Sequence, residues 1–531
     1  MTEFRTHPSN SMSENARVVK AASVIGAATL ASRTLGFIRD AVIAWFFGAG
    51  FSSDAFIAAF RIPNLLRRLF AEGSLSSAFI PVFMEYTVNQ SQAEAFHLAR
   101  SAFRLLGIVL IVTVVCGVML SPWIVRLIAP GFSADKLALT IALTRLMLPY
   151  IFFIGLVALC MGVLNVLGHF AAPAFAPVLL NLAIIGSAIF ISPSLPQPVM
   201  GLAVGVLIGG ILQLALQLPV LIKKRFYFWQ ASRWLHPGLK RVGRLIPPVI
   251  IGGAVYQINI LVGTLLASLL EQGSVTYLYF ADRLVQFPLG IFAIATATAV
   301  LPSLSRQAAA GDFDKLKDTF NHTLKLVFFI TIPASVGLIV LREPIVALLF
   351  KRGEFDVRAT LLTAQALLYY SMGLWAFSAV RIVAATFFAL QDTKTPAIMA
   401  GISIIANIFL GVMLMKPLSH GGLALATSLA SMLNLGLLLG VLRARLGKLQ
   451  WKGIALSVCR SLLCALLMGM AVRIAVSLIA LNENSTLPEL LGGVAGGIAV
   501  GLCAYGACSY MTKSPELHRM FIEAGRGIGI K

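Results

Sequence analysis

Residues 28–86 read ATLASRTLGFIRDAVIAWFFGAGFSSDAFIAAFRIPNLLRRLFAEGSLSSAFIPVFMEY, and the rest of the chain is arranged around this stretch. Two long apolar segments meet at Gly48-Ala49-Gly50, with Ser52 or Ser53 placed to cap the second. Inside them lie Arg33, Arg39, Asp40, Asp54, Arg61, Arg67, Arg68 and Glu72. An ionisable group at membrane depth costs several kcal/mol unless it faces a polar cavity or a partner, so it marks a functional site by default. The stretch reads as one wall of a wet, cationic cavity inside a helical membrane bundle.

Composition supports that environment. The 531 residues are 58% hydrophobic and only 12% charged, where a soluble globular chain would carry about 25% charged residues. Apolar runs separated by short loops suit a polytopic α-helical bundle, and nothing alternates in the manner of an outer-membrane barrel. The net charge of +21 does not point to nucleic acid, because most Lys and Arg fall in alternate loops as the positive-inside rule expects. The six cysteines lie in apolar runs without ligand spacing, and the seven histidines lie in or beside loops, so no metal centre is expected. No Gly-rich phosphate loop with its lysine is present, which leaves no ATP engine in this chain. The first sixteen residues are polar and lack a cleavage site, so no signal peptide is expected, and Met12 is a candidate start.

Fourteen spans are expected, near 18–47, 53–86, 101–128, 138–166, 173–193, 199–222, 242–270, 275–305, 320–341, 361–390, 396–415, 421–442, 454–480 and 488–511. Basic loops at 85–104, 223–244, 306–325, 390–395 and 443–452 put both termini in the cytoplasm. The segment 342–358 carries nearly balanced charges and goes to the outer side. A repeat shows at Pro81 and Pro302, 221 residues apart, and again at Pro173 and Pro396, 223 apart. The fold class is therefore an all-α polytopic membrane protein of two parallel six-helix pseudo-repeats plus two extra C-terminal helices. Such halves commonly rock about a central site. The expected layout is a polar cytoplasmic N-terminus over 1–16, an N-lobe over 17–222 and an interfacial connector over 223–244. A C-lobe follows over 245–442, then the two extra spans within 443–511 and a cytoplasmic tail over 512–531. The connector interleaves Lys and Arg with Phe, Tyr and Trp, as a segment at headgroup depth would.

Helical spacing sorts the charges. Asp54, Arg61, Arg68 and Glu72 fall on one face of the second span, blurred by a kink at Pro63. Arg33 and Asp40 share a face of the first, with Arg39 about a third of a turn away. The eighth span adds Asp282 and Arg283, and the tenth adds Arg381. Pairing that merely glues helices together would account for Asp40, Asp282 and Glu72. It does not account for seven deep arginines against four acids, although some of Arg61, Arg67 and Arg68 could snorkel to the interface. The surplus asks for an anion. Arginine suits phosphate because its planar fork donates two parallel hydrogen bonds.

The strings SRTLGFIRDAVIAWFFGAGFSSDAFIAAFRIPNLLRRLFAEGSLSSAFIPVF, YFADRLVQFP (279–288) and QDTKTP (391–396) closely resemble the MurJ (MviN) lipid II flippases of the MOP exporter superfamily. The resemblance implies a V-shaped bundle moving lipid II, an undecaprenyl-diphosphate disaccharide-pentapeptide, from the inner to the outer leaflet of the bacterial cytoplasmic membrane for peptidoglycan synthesis. It places substrate-binding residues at Arg33, Arg39, Arg67, Arg283, Asp54 and Glu72. Asp40, Arg61, Arg68, Asp282 and Arg381 become secondary cavity or gating residues, and the last two spans become a groove for the lipid tail. No cofactor is implied. Some relatives bind sodium through acids on spans seven, eleven and twelve, which this chain lacks, so that site is not expected here. The implied partners are lipid II, membrane lipids and the cell-wall synthesis or division machinery, with no nucleic acid. Alternatives are another MOP-type oligosaccharide-lipid flippase, a drug exporter, a polyprenyl-phosphate enzyme or a non-transporting scaffold. A cation exporter would want cavity carboxylates, and the enzyme an acid-rich metal motif or a His/Asp cluster.

Overall fold

Gly48-Ala49-Gly50 does separate two helices. A computed structural model, describing residues 11–68, 75–230, 234–447, 449–479 and 485–518, ends α1 (Ser11–Phe47) at Gly48 with φ +57° and starts α2 (Phe51–Arg67) three residues later. Because α2 begins before the serines, neither caps it from outside. The Ser53 hydroxyl instead donates back to the Phe47 carbonyl at 3.0 Å, satisfying an orphan acceptor at the end of α1.

The remaining helices are α3 (Leu75–Asn89), α4 (Gln92–Ile128), α5 (Ala134–Met147), α6 (Tyr150–Val166), α7 (Ala171–Gly186), α8 (Met200–Lys223) and α9 (Pro237–Ser268). Then come α10 (Ser274–Pro288), α11 (Ala295–Ala309), α12 (Phe313–Val340), α13 (Arg342–Phe350), α14 (Val357–Ala389), α15 (Lys394–Leu446), α16 (Trp451–Ile479) and α17 (Leu487–Met511). No strand occurs among the described residues.

Ten helical stretches among the described residues are long and apolar enough to cross a membrane. They do not match the fourteen expected spans one for one. Spans eleven and twelve are the two legs of α15, which turns back at Ser419 (φ 50°, ψ −136°). In a straight helix Leu414 and Gly422 would lie about 12 Å apart. Here the Leu414 carbonyl abuts Gly422, and the Gly411 Cα packs near Leu423, so the legs form a hairpin. Its open end is tied by Asp392, which accepts from the Thr395 and Lys394 amides and the Thr395 hydroxyl and pairs with Arg445 at 2.6 Å. Spans one, two and seven fall on α1, on α2 with α3, and on α9, outside the ten.

The repeat is visible in the element boundaries. The caps of α4 and α12 are Ser91 and Asp312, 221 residues apart, and each side chain accepts from the amide three residues on. The helix pairs α2/α3 and α10/α11 match as well: α3 and α11 are both 15 residues long, with Pro81 and Pro302 inside. The ends of α8 and α15, Lys223 and Leu446, lie 223 apart.

By compactness the chain divides into two units, residues 1–47 with 51–261, and 48–50 with 262–531. In the first, Gly201, Gly205 and Gly209 line one face of α8 and let it lie directly on α7. A Cβ on Gly205 would come within 2.9 Å of the Ile184 Cα. The segment after α8 lies on α3 and α4: Arg100 donates to the Tyr227 carbonyl at 2.9 Å, Phe226 is buried edge-on to Phe96, and His236 meets Glu94 at 3.0 Å. In the second unit, α12, α14, the outgoing leg of α15 and α16 share an apolar core around Phe320, Leu324, Phe387, Leu442 and Met468. Exposed faces such as Ile111, Val115, Met119 and Trp123 on α4, and Leu463, Leu467, Met470 and Ile474 on α16, are the apolar surfaces a bilayer would solvate.

Candidate functional site

In the first unit, α1 presents its charges at two depths of burial. Arg33 is exposed, with no hydrogen bond or ion pair among the described residues. Arg39 and Asp40, a turn and a half on, are buried. The Arg39 Nε and Nη2 both donate to Asp40 Oδ1, at 3.0 and 2.6 Å, while Nη1 donates to Asn181 Oδ1 at 3.0 Å. Asn181 in turn donates its amide to the Ser32 carbonyl at 3.0 Å. This network fastens α1 to α7 and neutralises one arginine internally.

On α2, Asp54 is buried and meets Lys136 of α5, Nζ to Oδ2 at 2.6 Å. The ammonium also sits 4.5 Å from the centroid of the Phe132 ring. The acid expected to work beside arginines therefore has a lysine partner. Farther along the helix, Arg67 donates Nε and Nη2 to Asn64 Oδ1 at 3.2 and 2.9 Å. Arg61 and Arg68 are half-buried beside it. Glu72 lies outside the described residues.

In the second unit, Arg283 on α10 donates Nη2 to the Tyr279 hydroxyl at 3.0 Å, and its guanidinium lies 4.9 Å from that ring's centroid. Asp282 beside it accepts from Gln286 at 3.3 Å. Five residues beyond Arg283, α10 ends at Pro288 and a π-helical turn (Leu289–Ile294) leads into α11. Such turns are concentrated at functional sites. Arg381 on α14 is exposed.

Within the first unit the structure thus joins Arg39 to Asp40 and holds Asp54 on Lys136. Within the second it clasps Arg283 on Tyr279. Sequence reasoning missed Lys136, Asn181 and Tyr279. Asn181 carried a usable signal as the lone polar side chain in PVLLNLAIIG; Lys136 fell between the expected third and fourth spans, 101–128 and 138–166. The arginines can offer planar, two-pronged donors to a phosphate or diphosphate, and Arg33 and Arg381 are the exposed ones.

Comparison with known proteins agrees with this chemistry. Residues 43–491 match the family model described as lipid II flippase MurJ. A probable lipid II flippase MurJ from Vibrio cholerae serotype O1 is 40% identical over 431 residues, 80% of this chain and 82% of the relative. The lipid II flippase MurJ of Burkholderia cenocepacia is 38% identical over 424 residues, 78% and 82% of the two chains. A solved lipid II flippase MurJ in an inward closed conformation is 28% identical over 92% of this chain and 99% of its own, with a TM-score of 0.77. An inward-facing MATE family multidrug transporter of the MOP superfamily, 18% identical, covers 79% of this chain and 95% of its own at a TM-score of 0.68 and bears on the fold alone. With ten apolar helices of membrane-crossing length among the described residues, the chain is a multi-pass membrane protein of a transporter family. It belongs to the family of MurJ lipid II flippases.

Proposed function

We propose that this protein moves lipid II from the inner to the outer leaflet of the bacterial cytoplasmic membrane, with both termini cytoplasmic, to supply cell-wall synthesis. The observation that carries the reading is the family match over residues 43–491. Arginine chemistry supplies the mechanism. Arg33, exposed on α1 of the first unit, and Arg283, which donates to Tyr279 in the second, are each substrate-binding residues whose forked donors suit a diphosphate. Arg39 joins by exchanging Asp40 for phosphate, and Arg67 by exchanging Asn64. Asp40 is thus a counter-ion that holds the arginine between substrates.

Asp54 acts at one remove: its pair with Lys136 sets α2 against α5. Glu72, Arg61 and Arg68 in the first unit, and Asp282 and Arg381 in the second, are secondary charges that tune the field of their own unit. The undecaprenyl tail runs along α16 and α17, whose outer faces are apolar. The segment 223–244 rests at headgroup depth, with Trp229 and Trp234 exposed to it.

Alternating access moves the headgroup. Carrying roughly two negative charges outward across an inside-negative 100 mV gains about 4.6 kcal/mol, at about 2.3 per charge. That bias needs neither ATP nor sodium. Association with the cell-wall synthesis or division machinery belongs to the same proposal.

The test is lipid II exposure on the outer leaflet of cells in which this protein is the sole flippase, read by a periplasmic enzyme that cleaves exposed lipid II. At matched expression, Arg33→Ala and Arg283→Ala abolish exposure and intact precursor accumulates inside. Unchanged exposure in both variants would overturn the arginine site.

A further inference from the structure

The second unit contains a cavity of about 470 Å³, with several charged and amide side chains in its walls, that the transport reading does not use. It lies where the second to fourth turns of α12 and the first three turns of α16 meet the chain just after α17, and Asp318, Asn321, Lys325, Gly453, Arg460 and Glu516 are among its walls. We propose that this cavity is a binding site for a phosphate ester, separate from the deep arginines and independent of what the protein transports.

Three features of the site call for an anion. The first turn of α16 contains no acidic residue, and Gln450 before it donates its amide to Asp318 at 3.0 Å instead of capping the helix. Trp451 and Ile454 find backbone acceptors, which leaves the amides of Lys452 and Gly453 as the unpartnered donors among the described residues. Against this positive helix end packs a second positive group. The Lys325 ammonium lies so close to Gly453 that a Cβ there would come within 2.9 Å of Nζ. A lysine on a helix N-terminus is unfavourable unless an anion lies between them. The third feature is independent of the helix end. Asn321, one turn before Lys325 on the same face of α12, is 2% exposed, and neither its amide nitrogen nor its oxygen has a hydrogen-bond partner. A phosphate oxygen would accept from that amide.

The two carboxylates present do not turn this into a cation site. Asp318 is exposed at the rim and already accepts from Gln450. Glu516 accepts from the hydroxyls of Ser457 and Ser514 at 2.7 and 2.8 Å. Burial pushes the Glu516 carboxyl up, but those hydroxyls, a backbone hydrogen bond and the Arg460 charge together hold the group below its ordinary value. Glu516 clasps the chain after α17 onto α16 and so closes one wall, while Arg460 adds positive charge on that side. The volume exceeds one phosphate and suits a phosphodiester with a small polar head. At the ends of membrane-crossing helices the natural sources are an anionic lipid headgroup and a soluble phosphate ester.

Purified full-length protein in detergent distinguishes the sources. In one arm, native mass spectrometry counts bound phosphatidylglycerol, with diacylglycerol as the phosphate-free comparator. In the other, glycerol 3-phosphate is titrated in a thermal-shift assay. Retention of phosphatidylglycerol over diacylglycerol assigns the lipid source, and saturable stabilisation by glycerol 3-phosphate assigns the soluble one. Either should fall at least roughly tenfold in Lys325→Met and in Asn321→Leu, the loss of about one charged hydrogen bond. Asn321→Leu replaces an unbonded amide with an apolar side chain of similar size, so the ligand-free variant keeps the wild-type unfolding temperature. Equal retention of the two lipids with no effect of glycerol 3-phosphate would overturn the site, as would wild-type affinity in both variants.

Discussion

Lys136 reaches Asp54 at 2.6 Å, joining α5 to α2 through a pair that is buried on both sides. Removing one partner of such a pair leaves an uncompensated buried charge. Lys136→Met is therefore expected to destabilise the protein by about 3–5 kcal/mol. Asp54→Asn combined with Lys136→Met should recover most of that loss, because two neutral groups replace the stranded carboxylate. Thermal unfolding of the single and double variants in detergent checks this; a double variant no more stable than Lys136→Met would show that the pair does not act as a unit.

Arg39 spans two acceptors, Asp40 and Asn181, with separate nitrogens. A lysine at 39 has one ammonium and cannot reproduce that planar fork. Arg39→Lys should therefore lower lipid II exposure on the order of tenfold at normal expression, the loss of about one charged hydrogen bond. Asn181→Ala, which frees one arm and leaves the ion pair, should cost less. Equal losses in the two variants would assign the effect to the packing of α1 on α7.

The tie across the α15 hairpin is pH-sensitive in a definite direction. Hydrogen bonds from Thr395, then the charge of Arg445, hold the Asp392 carboxyl below its ordinary value. A lowered folded value means the stabilisation is fully present above the ordinary carboxylate pKa of about 4 and is lost as pH falls through the folded value. Hydrogen exchange at 392–395, taken relative to the intrinsic rate at each pH, should stay slow from neutral pH to about 5 and rise below about 4. Asp392→Asn should show the fast exchange at every pH.

Where α8 lies on α7 there is no space for a side chain at Gly205. Gly205→Val forces the helices apart and should cost about 1–3 kcal/mol, read as a lower unfolding temperature, while Gly186→Ala, which meets nothing within 4 Å, should not.

Most of the fold was legible in apolar runs and prolines. Pro81 and Pro302 announced the repeat, and the caps at Ser91 and Asp312 keep the same interval. The hairpin at Ser419 was legible only as two spans, because its turn uses a strained backbone rather than a long polar loop. The arginines were legible through the cost of placing charge in lipid. Their partners were not. An adjacent pair such as Arg39 and Asp40 projects about 100° apart on a helix, so spacing alone does not foretell that the long guanidinium stem will curl back to its neighbour. Lys136 was hidden because α5 begins at Ala134, ahead of the fourth span expected from residue 138.

The α15 hairpin also bears on how the chain is made. Lys394–Leu446 enters the bilayer as 53 residues with only a strained turn between its legs. The incoming leg is synthesised first, and Asp392 must wait until Arg445 has left the ribosome before it finds its partner. From the bend at Ser419 until Arg445 emerges, the sixth pair of spans has a closed tip and an open base. A nascent chain released between Gly422 and Arg445 would keep the bend and lose the knot.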